Sequence, residues 1–302
     1  MKGRVIFSVL AVVLAVFSCR NNSVKSEEFI LASSDSLASS VNYGTDPIEE
    51  IYRNFSSPLE IANLFQIMGV PFSPGYLATS LNANEQTTSF QKALYLGILG
   101  ADLGYLNMYE KTGTSIELVS SVKKLADGLN VGQFFDFETI KRISLNKSNL
   151  DSLLFLSVDS YSQMDEYLRK NNRSQLSSIM IVGVWIEAQY FATQVMKQYP
   201  NNLLRERIGE QKYFLEDLIK VVTPYCDSDK EFTTACNYLR DMETKYEKIK
   251  ISYTKGDPSS IEKDGVLVVT QTETSMVEMT DEQLAAIIEI TGRVRNKLIG
   301  NN

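Results

Sequence analysis

Three carboxylates interrupt strongly apolar helical stretches of this 302-residue chain: Asp102, Asp159 and Glu187. Gathered in one cleft, they would share protons or hold a hard cation, because mutual repulsion raises carboxyl pKa values and oxygen ligands suit Ca²⁺ or Mg²⁺. Held apart, each would bond a tyrosine hydroxyl, an arginine or a helix end. The second arrangement is the expected one, since ion pairs and structural hydrogen bonds occupy such groups at least as readily as catalysis does. The chain has no histidine. The commonest general base, the usual activator of Ser and Cys and a favoured transition-metal ligand are thereby missing. Zinc-protease, Ser-His-Asp and Glu-x-x-His di-iron chemistries are excluded in their usual forms. Neither GxGxxG nor GxxxxGK[ST] occurs, so no glycine loop cradles a phosphate. No metal and no cofactor are expected.

The other reactive side chains are three cysteines, Cys19, Cys226 and Cys236. Cys19 follows a positive start, Lys2 and Arg4, and an apolar run from Val5 to Phe17 that is short for a membrane span. The run closes Val16-Phe17-Ser18-Cys19, which resembles a lipobox, although Phe17 is bulkier than that pattern prefers. The resemblance implies cleavage after Ser18 and acylation of Cys19. Two or three acyl chains, at about 0.8 kcal/mol per buried CH₂, hold a protein on a membrane where one chain does so only marginally. Arg20 is not the Asp that resembles an inner-membrane retention signal, so an outer-membrane lipoprotein facing the periplasm or the cell surface is expected. Lys25-Ser26-Glu27-Glu28 resembles the charged surface-export signals of Bacteroidota lipoproteins. Export would place Cys226 and Cys236 in an oxidising compartment, and as the two remaining thiols they are expected to form a disulfide.

These residues need elements to position them. Residues 1–18 read as the signal peptide, 19–44 as the lipidated Cys and a serine-rich flexible tether, and 45–302 as one α-helical domain. Ser57-Pro58-Leu59-Glu60 opens a helix over 58–68 with Gly69 as its stop. Helices follow at 84–111, closed by Gly113, and 115–127, closed by Gly128. Others fall at 136–145, 149–171, 175–198, 203–222 and 229–252, the last opened by a Ser228-to-Glu231 capping box. Val266 to Val269 and Thr274 to Met279 suit a short β-hairpin, and the Thr280-to-Gln283 capping box opens a last helix to 299. The fold class is therefore mostly α, an irregular multi-helix bundle with a small C-terminal β-hairpin before the last helix. Gly97, Gly100 and Gly104 lie within one helix. Each costs about 1 kcal/mol there relative to Ala, which calls for close approach of a second helix. Leu176 to Val195, around Trp185, reads as a buried central helix.

With 37 acidic residues against 30 basic ones, the surface repels phosphate backbones, and nucleic acid is not an expected partner. The lipobox and the helix-rich body resemble the uncharacterised envelope lipoproteins of Bacteroidota. That resemblance implies a membrane bound through the N-terminal lipid and an envelope protein or glycan as partner. The expected role is non-catalytic binding or scaffolding. The alternative is a His-free hydrolase or small-ligand-binding protein that uses the carboxylates as a pocket.

Overall fold

The computed structural model describes residues 64–79, 81, 83, 85–135, 150–255, 259–263, 266–270 and 273–300. The signal peptide, Cys19, the tether, the Ser57 cap and the helix expected at 136–145 lie outside the described residues. All described elements belong to one compact unit within Thr45–Asn302. They are the end of a helix at 64–67, then α1 (Ser89–Met108), α2 (Thr112–Gly128), α3 (Leu150–Lys170), α4 (Ser174–Gln198), α5 (Asn202–Val222) and α6 (Lys230–Tyr246). Strands β1 (Lys250–Lys255), β2 (Ser259–Lys263), β3 (Val266–Thr270) and β4 (Glu273–Glu278) follow, and α7 (Asp281–Leu298) ends the body. The fold is the mostly α bundle with a hairpin before its last helix that the composition implied.

α4 is the axis of the bundle. By length and apolarity it could cross a membrane, yet 83% of its most apolar window is buried inside the protein. α1, α3, α5 and α7 pack around it, and α6 closes on α5 and α7. Trp185 at its centre is 1% exposed, stacks on Phe214 and donates its indole N–H to Gln211 Oε1 at 3.0 Å. The ring buries its large apolar surface while its one polar atom keeps a partner.

Two helices end by a different device from the one expected, and a third ends in the same way. Gly69 does close the first helix, at φ +66°, with Val70 N–H bonded back to Phe65 O. Gly113, however, lies in the first turn of α2, and Gly128 is that helix's last residue. The left-handed closing positions belong to Glu110, Asn130 and Asn172 (φ +54°, +59° and +55°). At each, the next residue's N–H reaches back five residues: Lys111 to Leu106 O, Val131 to Ala126 O, Arg173 to Leu168 O. Buried Val131, 0% exposed, shows why packing overrides glycine preference at one of them: its burial fixes where the chain must turn.

α6 differs at both ends from the expected 229–252 helix. Asp229, not Ser228, is its N-cap, accepting from Glu231 and Phe232 N–H, while Ser228 Oγ donates to Tyr225 O. It stops at Tyr246 because Lys212 Nζ takes the carbonyls of Glu247 and Ile249, and Ile249 is buried. From Lys250 the chain is extended. β1 pairs antiparallel with β4 (Lys250 opposite Glu278) and β2 with β3 (Ser259 opposite Thr270, Lys263 opposite Val266). The runs 266–269 and 274–279 are therefore not partners of each other. The two pairs are nested in the sequence, with 250–255 and 259–263 outgoing and 266–270 and 273–278 returning. Only Asp264-Gly265 separates β2 from β3, the spacing and composition of a tight hairpin turn.

Cys226 and Cys236 form the expected disulfide, with Cα atoms 5.8 Å apart. A 3₁₀ turn at Thr223–Tyr225 folds the chain back, and Thr233 Oγ1 holds Cys226 O at 2.7 Å. The bridge staples α5 to α6. The Cys226→Ala/Cys236→Ala protein is expected to lose about 3 kcal/mol in urea unfolding, as loop-closure entropy predicts for so short a loop. An unchanged midpoint would show that the turn is held by its hydrogen bonds alone.

Candidate functional site

α1 and α4 bring Asp102 and Glu187 together in the interior, at 2% and 0% exposure. Asp159 falls within α3, and its side chain lies outside the described residues. The partner that completes the cluster is Arg295 of α7, 3% exposed. Its Nε donates to Glu187 Oε2 at 2.9 Å and its Nη2 to Glu187 Oε1 at 2.6 Å, a two-point ion pair. Nη2 also reaches the carbonyl of Tyr76 at 3.1 Å, and the guanidinium lies 4.3 Å from the ring centre of Tyr190. Asp102 Oδ2 accepts from Ala78 N–H at 3.0 Å.

The charge count decides the protonation. Two carboxyls and one guanidinium, closed off from water, leave a surplus negative charge unless one proton is kept. Both oxygens of Glu187 accept from Arg295, whereas Asp102 Oδ1 has no donor aimed at it. The proton belongs on Asp102, directed at Glu187. Burial first, then the charge of Glu187, pushes the Asp102 carboxyl well above the usual range, although Ala78 N–H and Arg295 oppose this. Burial also raises Glu187, with Arg295 acting against it. Burial works against the charge of Arg295, but the hydrogen bonds and charge of Glu187, together with Tyr190 and Asp102, outweigh it and raise its pKa.

The cluster fastens a strap. Residues 70–78, the turn-rich connection before α1, are held by Asp102 and Arg295 and by two tyrosines of the α1 end. Tyr105 Oη accepts from Ser73 N–H at 3.0 Å and Tyr109 Oη donates to Val70 O at 2.8 Å. Burial pushes the Tyr105 phenol up to about 12, so it stays neutral. Asp165, in α3, is a third buried carboxylate, outside the three acids that the apolar stretches mark. It accepts from Ser177 Oγ at 2.6 Å and pairs with Arg169 at 2.8 Å, four residues along the same helix. That i,i+4 spacing was its available signal. For Arg295 the signal was phase: it shares the apolar face of Leu284, Ile287 and Thr291.

An open groove of about 680 Å³ lies elsewhere, where α1, α4 and α6 begin. Phe90, Leu176, Tyr225 and Phe232 line it with the caps Thr88 and Asp229. Thr88 and Asp229 already accept N–H groups of their own helices, and Thr88 Oγ1 donates to Glu231. Among the described residues no group of three or more Cys, Asp or Glu side chains is placed to hold a metal ion.

The proton on Asp102 gives a pH prediction. The folded protein keeps a proton that the unfolded chain releases above about pH 4, so this contribution to stability is full in acid and lost as pH rises toward the folded-state pKa. Asp102→Asn can accept from Ala78 and donate to Glu187 without titrating, while Glu187, Arg295, Tyr76 and Tyr190 around it are unchanged. Its urea midpoint is expected to fall less between about pH 4 and 8 than the parent's. Equal slopes would place the proton elsewhere.

Comparison with protein-family models, with curated proteins and with solved structures found no match.

Proposed function

We propose that this is a lipid-anchored protein of the cell envelope with a non-catalytic binding or scaffolding role, held through Cys19 and presenting its helical body to an envelope protein or glycan. The observation that carries the binding role is the foot of the β-ribbon. Tyr253 of β1 stacks on Tyr213 of α5 with ring centres 6.2 Å apart, and both rings stay on the surface, 54% and 41% exposed. Met276 of β4 is 58% exposed as well, but it lies opposite Ser252 and so on the other face of the ribbon from Tyr253. Large side chains with apolar bodies, grouped and left in water, suit a surface that another molecule covers. The carboxylate-pocket alternative asks for acids on an open cleft, whereas Asp102 and Glu187 are spent on Arg295, Ala78 and each other.

Two measurements test the proposal. Mass spectrometry of protein from its native envelope is expected to find a diacylated N-terminal Cys19; an unmodified Cys19 peptide removes the anchor from the account. A photo-crosslinker in place of Tyr253 is expected to capture one predominant envelope protein or glycan in intact cells, and Tyr213→Asp to abolish that capture. Hydrolytic turnover by the purified protein that disappears in Glu187→Gln would overturn the non-catalytic reading.

A further inference from the structure

Two-stranded ribbons are marginal in water unless a third strand or a helix supports them. β1 and β4 have that support: Gly209 of α5 leaves room for Val277, and Arg205 bonds the carbonyl of Met279 and the carboxylate of Asp281. β2 and β3 pair with each other over five residues and pack extensively on no other described element. Along its second edge, β3 meets no strand among the described residues.

The four strands differ in charge. β1 carries Lys250 and Lys255, β4 carries Glu273 and Glu278, and β2 carries Glu262 and Lys263. Charged residues on an edge strand discourage further pairing. β3, Val266-Leu267-Val268-Val269-Thr270, has none, and its β-branched residues favour the extended, paired state.

We propose that β3 pairs antiparallel with β3 of a second copy of this chain, about a two-fold axis at Val268, to give a four-stranded sheet of order β2-β3-β3-β2. The register sets Val266 opposite Thr270, Leu267 opposite Val269 and Val268 opposite Val268, so no charge meets a like charge. The same operation on β1 would set Lys250 against Lys255, and on β4 Glu273 against Glu278, which like-charge repulsion disfavours. A net charge of −7 makes two copies repel at long range, so the contact belongs at an uncharged strand, and salt should tighten it by screening. The interface is isologous and closes at two copies. It goes beyond the binding role above and stands or falls separately from it.

Sedimentation velocity on the full chain tests it, with Val268→Lys and Val268→Glu. The parent is expected to show a concentration-dependent monomer–dimer equilibrium in the micromolar range. Each variant alone should dimerise at least about tenfold more weakly, because its new charge faces its own copy, and an equimolar mixture should recover to within about threefold of the parent. Val268→Thr should dimerise like the parent, showing that a neutral β-branched residue suffices. A parent that stays monomeric up to about 100 µM overturns the proposal, because self-pairing weaker than that gives the ribbon no support. So does a dimer indifferent to both charges, which would place the contact on another face. A mixture no tighter than the single variants also overturns it, because β3 would then be serving some other strand.

Discussion

Arg295→Met is expected to cost about 3–5 kcal/mol of folding stability, the penalty for breaking a buried ion pair from one side. The side chain is only 3% exposed, and its removal leaves Glu187, at 0% exposure, without either of its guanidinium donors. Tyr76 O loses its partner too, so the strap at 70–78 keeps Asp102 but not α7. Two buried carboxyls with no cation both have to stay protonated, and the variant's deficit should therefore widen as pH rises. The double variant Glu187→Gln/Arg295→Met is expected to be more stable than Arg295→Met alone, because the uncompensated charge is gone. Urea denaturation of the parent, Arg295→Met, Glu187→Gln and the double variant at two pH values measures the coupling. Additive losses would show that Arg295 acts through packing and not through Glu187.

Gly97→Ala is expected to be nearly as damaging, at about 3 kcal/mol, the upper end of overpacking costs. α1 and α4 cross with Gly97 against Gly183. A Cβ on Gly97 would sit inside van der Waals distance of the Met180 carbonyl and 2.8 Å from Val184 N. One on Gly183 would meet the Leu94 carbonyl and lie 3.1 Å from Ile98 N. The atoms in the way are helix backbone, so relief requires moving α4, the axis on which the other helices pack. Gly183→Ala should cost a similar amount. The double variant should cost less than the sum, since helices already pushed apart by one methyl admit the second. Gly104→Ala, in the same helix, meets nothing within 4 Å at an exposed position, and should gain about 0.5–1 kcal/mol from helix propensity alone. Opposite signs for the same substitution seven residues apart would separate close approach from propensity. Equal signs would refute the crossing.

Local pattern carried much of this architecture. The periodicity of 175–198 and 203–222 marks α4 and α5 to within a residue, because an amphipathic or wholly buried helix writes its period into the chain. The Thr280 and Gln283 capping box likewise marks the start of α7, since both of its hydrogen bonds are made within one turn. The glycines of α1 implied that a second helix comes close, and Gly97 bears that out. Gly100 instead faces the Tyr161 hydroxyl, and Gly104 faces no neighbour. The disulfide was legible as well, because the expected export leaves Cys226 and Cys236 as the two remaining thiols, eleven residues from first to last.

Only the tertiary structure decided which charged residue answers which. Asp102 and Glu187 stand out as acids in apolar helices, but nothing local names Arg295, 108 residues beyond Glu187, as their cation. A salt bridge at that separation is chosen by how helices pack, and packing leaves no local period to read. The pairing of the strands was hidden similarly: β-branched composition marks 266–269 and 274–279 as strands, yet the partner of the first, 260–263, carries no strand signal of its own, and the partner of the second begins at 250–252, which reads as the end of a helix. There the capture of the Glu247 and Ile249 carbonyls by Lys212 and the burial of Ile249 outweigh local helix preference. Local energies of a few tenths of a kcal/mol per residue propose the elements, and the burial of whole side chains, about 1.5–3 kcal/mol each, settles where those elements stop.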